Sequence, residues 1–110
     1  MIHLILEAIK AAEVEGVLGT FDESLLTGFS GKKLIGTLQR LAYQWEHREN
    51  ACYLEIGVFQ GLTLLSVASA CPGLPCYGID NFAFFDSEGK NLRLVMERRA
   101  RLKASAGRFA

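Results

Sequence analysis

Two carboxylates and two glycines stand at spacings that suit the binding of a nucleoside. Glu55 lies near the end of a short apolar run, and Gly57 and Gly61 follow it in an E-x-G-x-x-x-G pattern. Glycine has no Cβ, so the backbone can turn sharply there and a ligand can lie against it. Asp80 ends a second short apolar run, where an acid can accept both hydrogen bonds of a ribose diol. The pattern predicts a nucleoside-binding crevice built from a strand, a glycine turn and an acid.

The spacing of the glycines bears on which nucleoside the crevice would take. A dinucleotide-binding turn has the pattern G-x-G-x-x-G, but counting from Gly57 the second and third glycine positions hold Phe59 and Leu62. The carboxylates of Glu55 and Asp80 also suit a positively charged ligand better than a pyrophosphate. Both observations argue against a phosphate-binding turn.

The segment from Tyr53 to Thr63, Tyr-Leu-Glu-Ile-Gly-Val-Phe-Gln-Gly-Leu-Thr, resembles motif I of the class I S-adenosylmethionine-dependent methyltransferases, and Asp80 matches the acid that closes their second strand. The resemblance covers residues 51–81. Within the family, the wording Glu-Ile-Gly-Val-Phe-Gln-Gly is similar to the branch that contains small-molecule and sugar O-methyltransferases. Phe59 departs from the commoner family form, which has a glycine there. The resemblance implies S-adenosyl-L-methionine as the cofactor and a small molecule as the methyl acceptor, with O-methylation favoured.

The resemblance also implies roles for the residues around the turn. Gly57 and Gly61 would approach the methionine half of the cofactor. Glu55 would orient its amino group, and Asp80 would hold its ribose. The residues expected to bind the cofactor are Glu55, Gly57, Val58, Phe59, Gln60, Gly61, Asp80 and Asn81. The sequence assigns no catalytic residue and no metal ligand.

Each of these residues also has a purely structural interpretation. The glycines could serve only a tight strand-to-helix turn, Glu55 could be an exposed charge at a strand end, and Asp80 could cap its own turn with Asn81. A Rossmann-like nucleotide-binding or interaction module without transferase activity is therefore the alternative function. The basic C-terminal segment leaves a third hypothesis, an RNA-binding helical adaptor, although such a run is more often a solvated helix face.

Hydrophobic periodicity, together with glycines and prolines, predicts the elements that would position the crevice. In chain order these are a helix over residues 2–14, a helix over 31–46, a strand over 51–56, a helix over 62–70, a strand over 76–79 and a helix over 90–106. The first strand is apolar on both faces, so we expect it to be buried and parallel to the second. The second helix is expected to bury one apolar stripe, formed by Leu34, Ile35, Leu38, Leu41, Ala42 and Trp45.

The predicted fold class is α/β, with a helical leader over residues 1–50 and the first βαβα portion of a Rossmann-like doubly wound parallel sheet over residues 51–110. Parallel sheets occur almost only where helices cover both faces, which two strands and their connections cannot provide. We therefore expect an incomplete domain, completed by a missing C-terminal half or in a homo-oligomer. In the chain alone, four apolar residues would lack part of their packing partners: Leu64, Val67, Ile79 and Val95.

Composition and charge limit the remaining function classes. The 110 residues suffice for one small domain, and 12 basic residues balance 12 acidic ones. Residues 1–89 contain 5 basic and 11 acidic residues, whereas residues 90–110 contain 7 basic residues and 1 acidic residue. Contact with nucleic acid is therefore not expected outside the basic C-terminal segment. Cys52, Cys71 and Cys76 lack C-x-x-C spacing, so reduced thiols are expected rather than a zinc site or disulfides. With no signal peptide and no apolar segment that could span a membrane, the sequence predicts a cytoplasmic protein.

Overall fold

A computed structural model describes residues 1–18, 31–80 and 89–102 of the chain. Within these ranges the chain forms helices and strands whose bounds are α1 Ile2–Glu15, α2 Lys32–Tyr43, β1 Tyr53–Ile56, α3 Leu62–Ala70, β2 Cys76–Ile79 and α4 Lys90–Leu102. The described part is therefore mixed α/β, with a small two-stranded parallel sheet. The order of elements agrees with the predicted order. The predicted cap of α2 at Ser30 and the aromatic loop after Asp80 lie outside the described residues.

The two strands pair in parallel, in a register that runs from Tyr53 opposite Cys76 to Ile56 opposite Ile79. The Gly57 N–H extends this pairing by donating to the Ile79 carbonyl at 2.9 Å. Because parallel strands point the same way, the residues that follow β1 and β2 lie side by side at one edge of the sheet. The predicted parallel pairing is confirmed, and it brings the glycine turn next to the acid.

The helix α3 forms the centre of the described core. Its side chains Leu64, Leu65, Val67 and Ala68 are fully buried, and the helix packs against α2, β2 and α4. A helix that is apolar on all sides needs such an enclosed position. The expectation that Leu64, Val67 and Val95 lack packing partners is wrong, because residues of α2 and α4 join the same apolar cluster.

One face of the sheet is covered and the opposite face is open among the described residues. Glu55 points to the covered side, where it contacts the first turn of α3. On the open side Leu54, Ile56 and Ile79 are 54%, 79% and 48% exposed. The expectation that β1 is buried on both faces is therefore wrong for the described part, because its helices pack on one side only. The expected exposure of Ile79 is confirmed.

The predicted apolar stripe of α2 is confirmed only in part, because Ile35 and Ala42 are buried but two other residues of the stripe are exposed. Leu34 and Trp45, which belong to that stripe, are 50% and 38% exposed, whereas Gly36 and Gln39 are buried. Gly36 is buried because the carbonyl of Gly16, in the turn after α1, occupies the place of its missing Cβ. Close approach of two backbones therefore decides which side of α2 faces inward.

The side-chain amide of Gln39 joins three segments of the fold. The Leu18 N–H donates to Gln39 Oε1 at 2.6 Å, and Gln39 Nε2 donates to the Ser66 carbonyl at 3.0 Å and to the Leu18 carbonyl at 3.4 Å. Gln39 is fully buried, where an unpaired amide would be costly. These bonds explain why a polar residue lies in the interior and how α2 is fixed to α3 and to the turn after α1.

Candidate functional site

The turn between β1 and α3 has a backbone conformation that favours glycine. Gly57, Phe59 and Gly61 have φ values of 86°, 52° and 90°. A left-handed conformation at a bulky residue such as Phe59 costs about 1–3 kcal/mol and persists where the surroundings enforce it. Phe59 thus occupies the position where the resembling motif commonly has glycine, and it adopts a conformation that glycine would adopt without strain.

The carboxylate of Asp80 holds this turn from the end of β2. The Val58 N–H donates to Asp80 Oδ2 at 2.8 Å, and the Phe59 N–H donates to the same oxygen at 2.9 Å. Hydrogen bonds to a charged acceptor contribute about 1.5–3 kcal/mol each, which is enough to offset the strain at Phe59. These two bonds show Asp80 bridging β2 to the turn after β1. The predicted site residue Asn81 lies outside the described residues.

Glu55 lies on the covered face of β1 beneath the first turn of α3. The Tyr53 hydroxyl donates to Glu55 Oε1 at 2.9 Å, and Thr63 Oγ1 donates to the same oxygen at 2.6 Å. The other oxygen, Oε2, is buried and has no hydrogen-bond partner among the described residues. Burial raises the pKa of Glu55, although the hydroxyls of Thr63 and Tyr53 and the nearby backbone of α3 act in the opposite direction. This environment does not fit the interpretation of Glu55 as an exposed strand-end charge.

Tyr53 supports Glu55 as a permanent hydrogen-bond donor. Burial raises the pKa of the Tyr53 hydroxyl, and the nearby Glu55 carboxylate raises it further. The hydroxyl therefore stays protonated at neutral pH and donates to the carboxylate. This arrangement fixes the position of Oε1, whereas Oε2 has no hydrogen-bond partner among the described residues.

The two glycines of the turn have different surroundings. A Cβ on Gly61 would meet Leu65 Cδ1 at 3.0 Å and Val95 Cγ2 at 3.3 Å, so the space beside it is filled by the protein's own core. A Cβ on Gly57 would meet no atom within 4 Å. The open side of the turn is therefore at Gly57, and Gly61 has a packing role whether or not a ligand binds. The contact of either glycine with a cofactor stays a prediction.

The helix α4 also supports the turn. Gln60 Nε2 donates to Asn91 Oδ1 at 2.9 Å, and Arg98 Nη1 donates to the Gln60 carbonyl at 3.1 Å. Asn91 is only 3% exposed. The expectation of a solvated basic helix is therefore wrong for Arg98, which is half-buried against the turn. The side chain of Gln60 is engaged with α4, and that of Val58 is buried in the core, so Val58 offers the site its backbone N–H.

Sequence reasoning missed four residues that shape the site, namely Tyr53, Thr63, Asn91 and Arg98. A hydroxyl in the first helical turn, two residues after a glycine, was an available signal for Thr63. Asn91 and Arg98 had no comparable signal, because their partners are more than thirty residues away in the chain. All candidate residues except Asn81 are described, and hydrogen bonds or backbone continuity bring them together at one edge of the sheet.

A separate cleft lies between α1 and α2. Its volume is about 520 Å³, and its lining includes Leu4, Tyr43, Gln44 and Ala70. Ala70 is the last residue of α3, whereas the glycine turn precedes that helix, so the cleft and the turn lie at opposite ends of α3. The cleft is therefore not part of the candidate site.

The described part of the chain has neither a cluster of metal-binding side chains nor a helix that could span a membrane. Residues 1–18, 31–80 and 89–102 contain no group of three or more His, Cys, Asp or Glu side chains that could hold a metal ion. None of the helices described there is both long and apolar enough to cross a membrane. The described part of the turn consists of carboxylates, backbone amides and glycines.

Comparison of the chain with family models, with curated proteins and with solved structures returns no match. The resemblance to the methyltransferase motif therefore rests on residues 51–81 of the sequence alone.

Proposed function

We propose that the chain is the S-adenosylmethionine-binding portion of a class I methyltransferase that acts on a small molecule, with O-methylation favoured. The observation that carries the proposal is the carboxylate of Glu55 beside the glycine turn, with Oε2 buried and without a donor among the described residues. A buried charge is costly unless it is paired. The ammonium group of the cofactor would supply both the missing hydrogen bond and the opposite charge.

The other parts of the turn are compatible with this ligand. Gly57 has open space where a side chain would stand, which allows a ligand to approach the backbone there. Asp80 lies at the end of the neighbouring strand, and the ribose hydroxyls would share its carboxylate with the two amides of the turn. The cofactor would thus lie across the carboxyl ends of β1 and β2, where open α/β sheets bind ligands.

In this proposal the two strands belong to a Rossmann-like doubly wound sheet. The exposed face with Leu54, Ile56 and Ile79 is then the surface against which helices of the second layer would pack. The methyl acceptor would bind next to the sulfonium group. A cytoplasmic location and reduced cysteines remain predictions of the same proposal.

The proposal is tested by titrating the protein with S-adenosylhomocysteine in a calorimeter and by measuring the melting temperature with the same ligand. We expect binding and a higher melting temperature, because a ligand of the native state stabilises it. Asp80→Ala should weaken binding by about 1.5–3 kcal/mol, since hydrogen bonds to a charged group are lost. Cys52→Ser is the matched control, because Cys52 is exposed and lies outside the turn.

The outcomes separate the proposed function from its alternative. A melting temperature that is raised by NADH and not by S-adenosylhomocysteine would favour a nucleotide-binding module without transferase activity. Equal affinity of wild type and Asp80→Ala for S-adenosylhomocysteine would remove Asp80 from the binding site. Absence of binding by the wild-type protein would contradict the proposed function as a whole.

A further inference from the structure

The two amides that hold Asp80 form a small anion-binding arrangement. The N–H groups of the consecutive residues Val58 and Phe59 converge on one oxygen at 2.8 and 2.9 Å. Phe59 has a left-handed backbone, with φ of 52°. Consecutive N–H groups that converge in this way form the nest by which glycine turns hold phosphate groups in many proteins. Here the anion in the nest is a carboxylate of the same chain.

We infer that Asp80 determines which class of ligand the turn accepts, by occupying its two amides and so excluding phosphate-bearing nucleotides. This inference rests on the proposed function and deepens it, because it names the ligand class as a nucleoside without phosphates at the turn. A phosphate group has to displace the Asp80 carboxylate before it can reach the amides. Asp80 is thus a specificity-determining residue as well as a ribose contact.

The surroundings of the turn strengthen the exclusion. A phosphate at the amides would lie close to the displaced Asp80 carboxylate, because Asp80 directly follows β2 and bonds these amides. Like charges in a partly buried site repel, and bulk solvent screens them little. A neutral ribose and a cationic amino acid group do not meet this repulsion.

The experiment compares the binding of inorganic phosphate by wild type, Asp80→Ala and Asp80→Asn at constant ionic strength set with sodium chloride. Asp80→Ala empties the nest. Asp80→Asn removes the charge but keeps an oxygen that can accept both N–H bonds. We expect the dissociation constant for phosphate to fall by about tenfold or more in Asp80→Ala, which corresponds to about 1.4 kcal/mol. Asp80→Asn should bind phosphate more weakly than Asp80→Ala, because its side-chain oxygen still occupies the amides.

Two results would overturn the inference. If folded Asp80→Ala binds phosphate no better than wild type, the amides are not an anion site. If Asp80→Asn gains as much affinity as Asp80→Ala, the negative charge alone excludes phosphate and occupation of the amides is irrelevant. In the wild-type protein, amide proton signals of Val58 and Phe59 should also be shifted downfield by the charged acceptor, and Asp80→Asn should reduce that shift.

The test also covers the case in which Asp80→Ala does not fold by itself. Phosphate should then restore the helical circular dichroism signal that sodium chloride of equal ionic strength does not restore. Failure to restore it contradicts the inference. The titration of wild type with S-adenosylhomocysteine is independent of these measurements. Its failure refutes the proposed function, whereas the phosphate titration reports on the occupied amides alone.

Discussion

Replacement of Glu55 by glutamine should stabilise the protein at neutral pH. The glutamine would keep an oxygen that accepts from Tyr53 and Thr63, while an uncharged group would replace Oε2, which has no partner in the part of the chain that the structure describes. An unsatisfied buried group costs about 1–3 kcal/mol, and more when it is charged. Because Glu55 is only partly buried and the glutamine amide also lacks a partner, we expect a net gain of about 1 kcal/mol at pH 7.

The pH dependence of this difference identifies its cause. Burial raises the pKa of Glu55 in the folded state above the ordinary value of 4.5, so folding favours the protonated carboxyl. Protonation of Glu55 therefore contributes to the stability of the wild-type fold. This contribution is complete when the pH is below the ordinary pKa, and it is lost as the pH rises through the pKa of the folded state. Glu55→Gln lacks this titration. The stability difference should be small near pH 4 and grow toward pH 7.

Chemical denaturation of the two proteins between pH 4 and pH 7 measures this difference, and thermal denaturation should show a rise of about 4 °C in the midpoint at pH 7. Glu13→Gln is the matched control, because Glu13 is exposed on α1 and the charge change is the same. A Glu55→Gln variant that is less stable than wild type at pH 7, or a stability difference that does not vary with pH, would refute the reasoning.

In Glu55→Gln, binding of S-adenosylhomocysteine should weaken by about tenfold, since the ammonium group of the ligand loses a charged partner.

Two further predictions concern the packing of α2 and the thiols. Gly36→Ala should destabilise the fold by about 1–3 kcal/mol, because the added Cβ collides with the backbone of the turn after α1. Gly31→Ala is the control and should change stability little, because no atom lies near the added Cβ. Urea denaturation measures the stability of both variants. At pH 8 in native buffer, a thiol reagent should modify Cys52 rapidly and the other two cysteines only after denaturation. Burial raises the pKa of Cys71 to about 12 and that of Cys76 to about 11, so rapid modification of all three would contradict this packing.

The elements whose signals are local in sequence could be predicted well. The structure places α3 at Leu62–Ala70 and β2 at Cys76–Ile79, as predicted, because a glycine precedes the helix and a turn with two prolines follows it. By contrast, β1 begins at Tyr53, two residues later than predicted, and α2 ends at Tyr43 rather than at residue 46. Element ends depend on which backbone groups find partners, and periodicity carries little of that information.

The burial of particular side chains could not be predicted, because it depends on contacts between distant segments. Apolar periodicity predicted Leu34 and Trp45 to be buried, but both are exposed, whereas Gln39 is buried because its partners at Leu18 and Ser66 lie in other segments. Likewise, two apolar faces on β1 predicted burial on both sides, whereas the described helices pack against one.

In the candidate site, too, features that depend on local sequence could be predicted, and features that depend on contacts between distant segments could not. The positions of Glu55 and Asp80 at the ends of neighbouring strands followed from the order of elements. The N–H bonds to Asp80 and the support of the turn by Arg98 could not be predicted, since each requires the three-dimensional path of the backbone after β1 or of α4.

The contacts of α4 with the glycine turn have a consequence for the order in which the site forms during synthesis. The strands β1 and β2 and the connecting helix α3 lie within residues 53–79, so their pairing closes a short loop at a modest entropy cost. The ribosome delivers Asn91, Val95 and Arg98 only afterwards, and these residues contact Gln60 and Gly61. We therefore expect the sheet to assemble first and the turn to reach its final shape only when α4 docks, so that the candidate site forms late in synthesis.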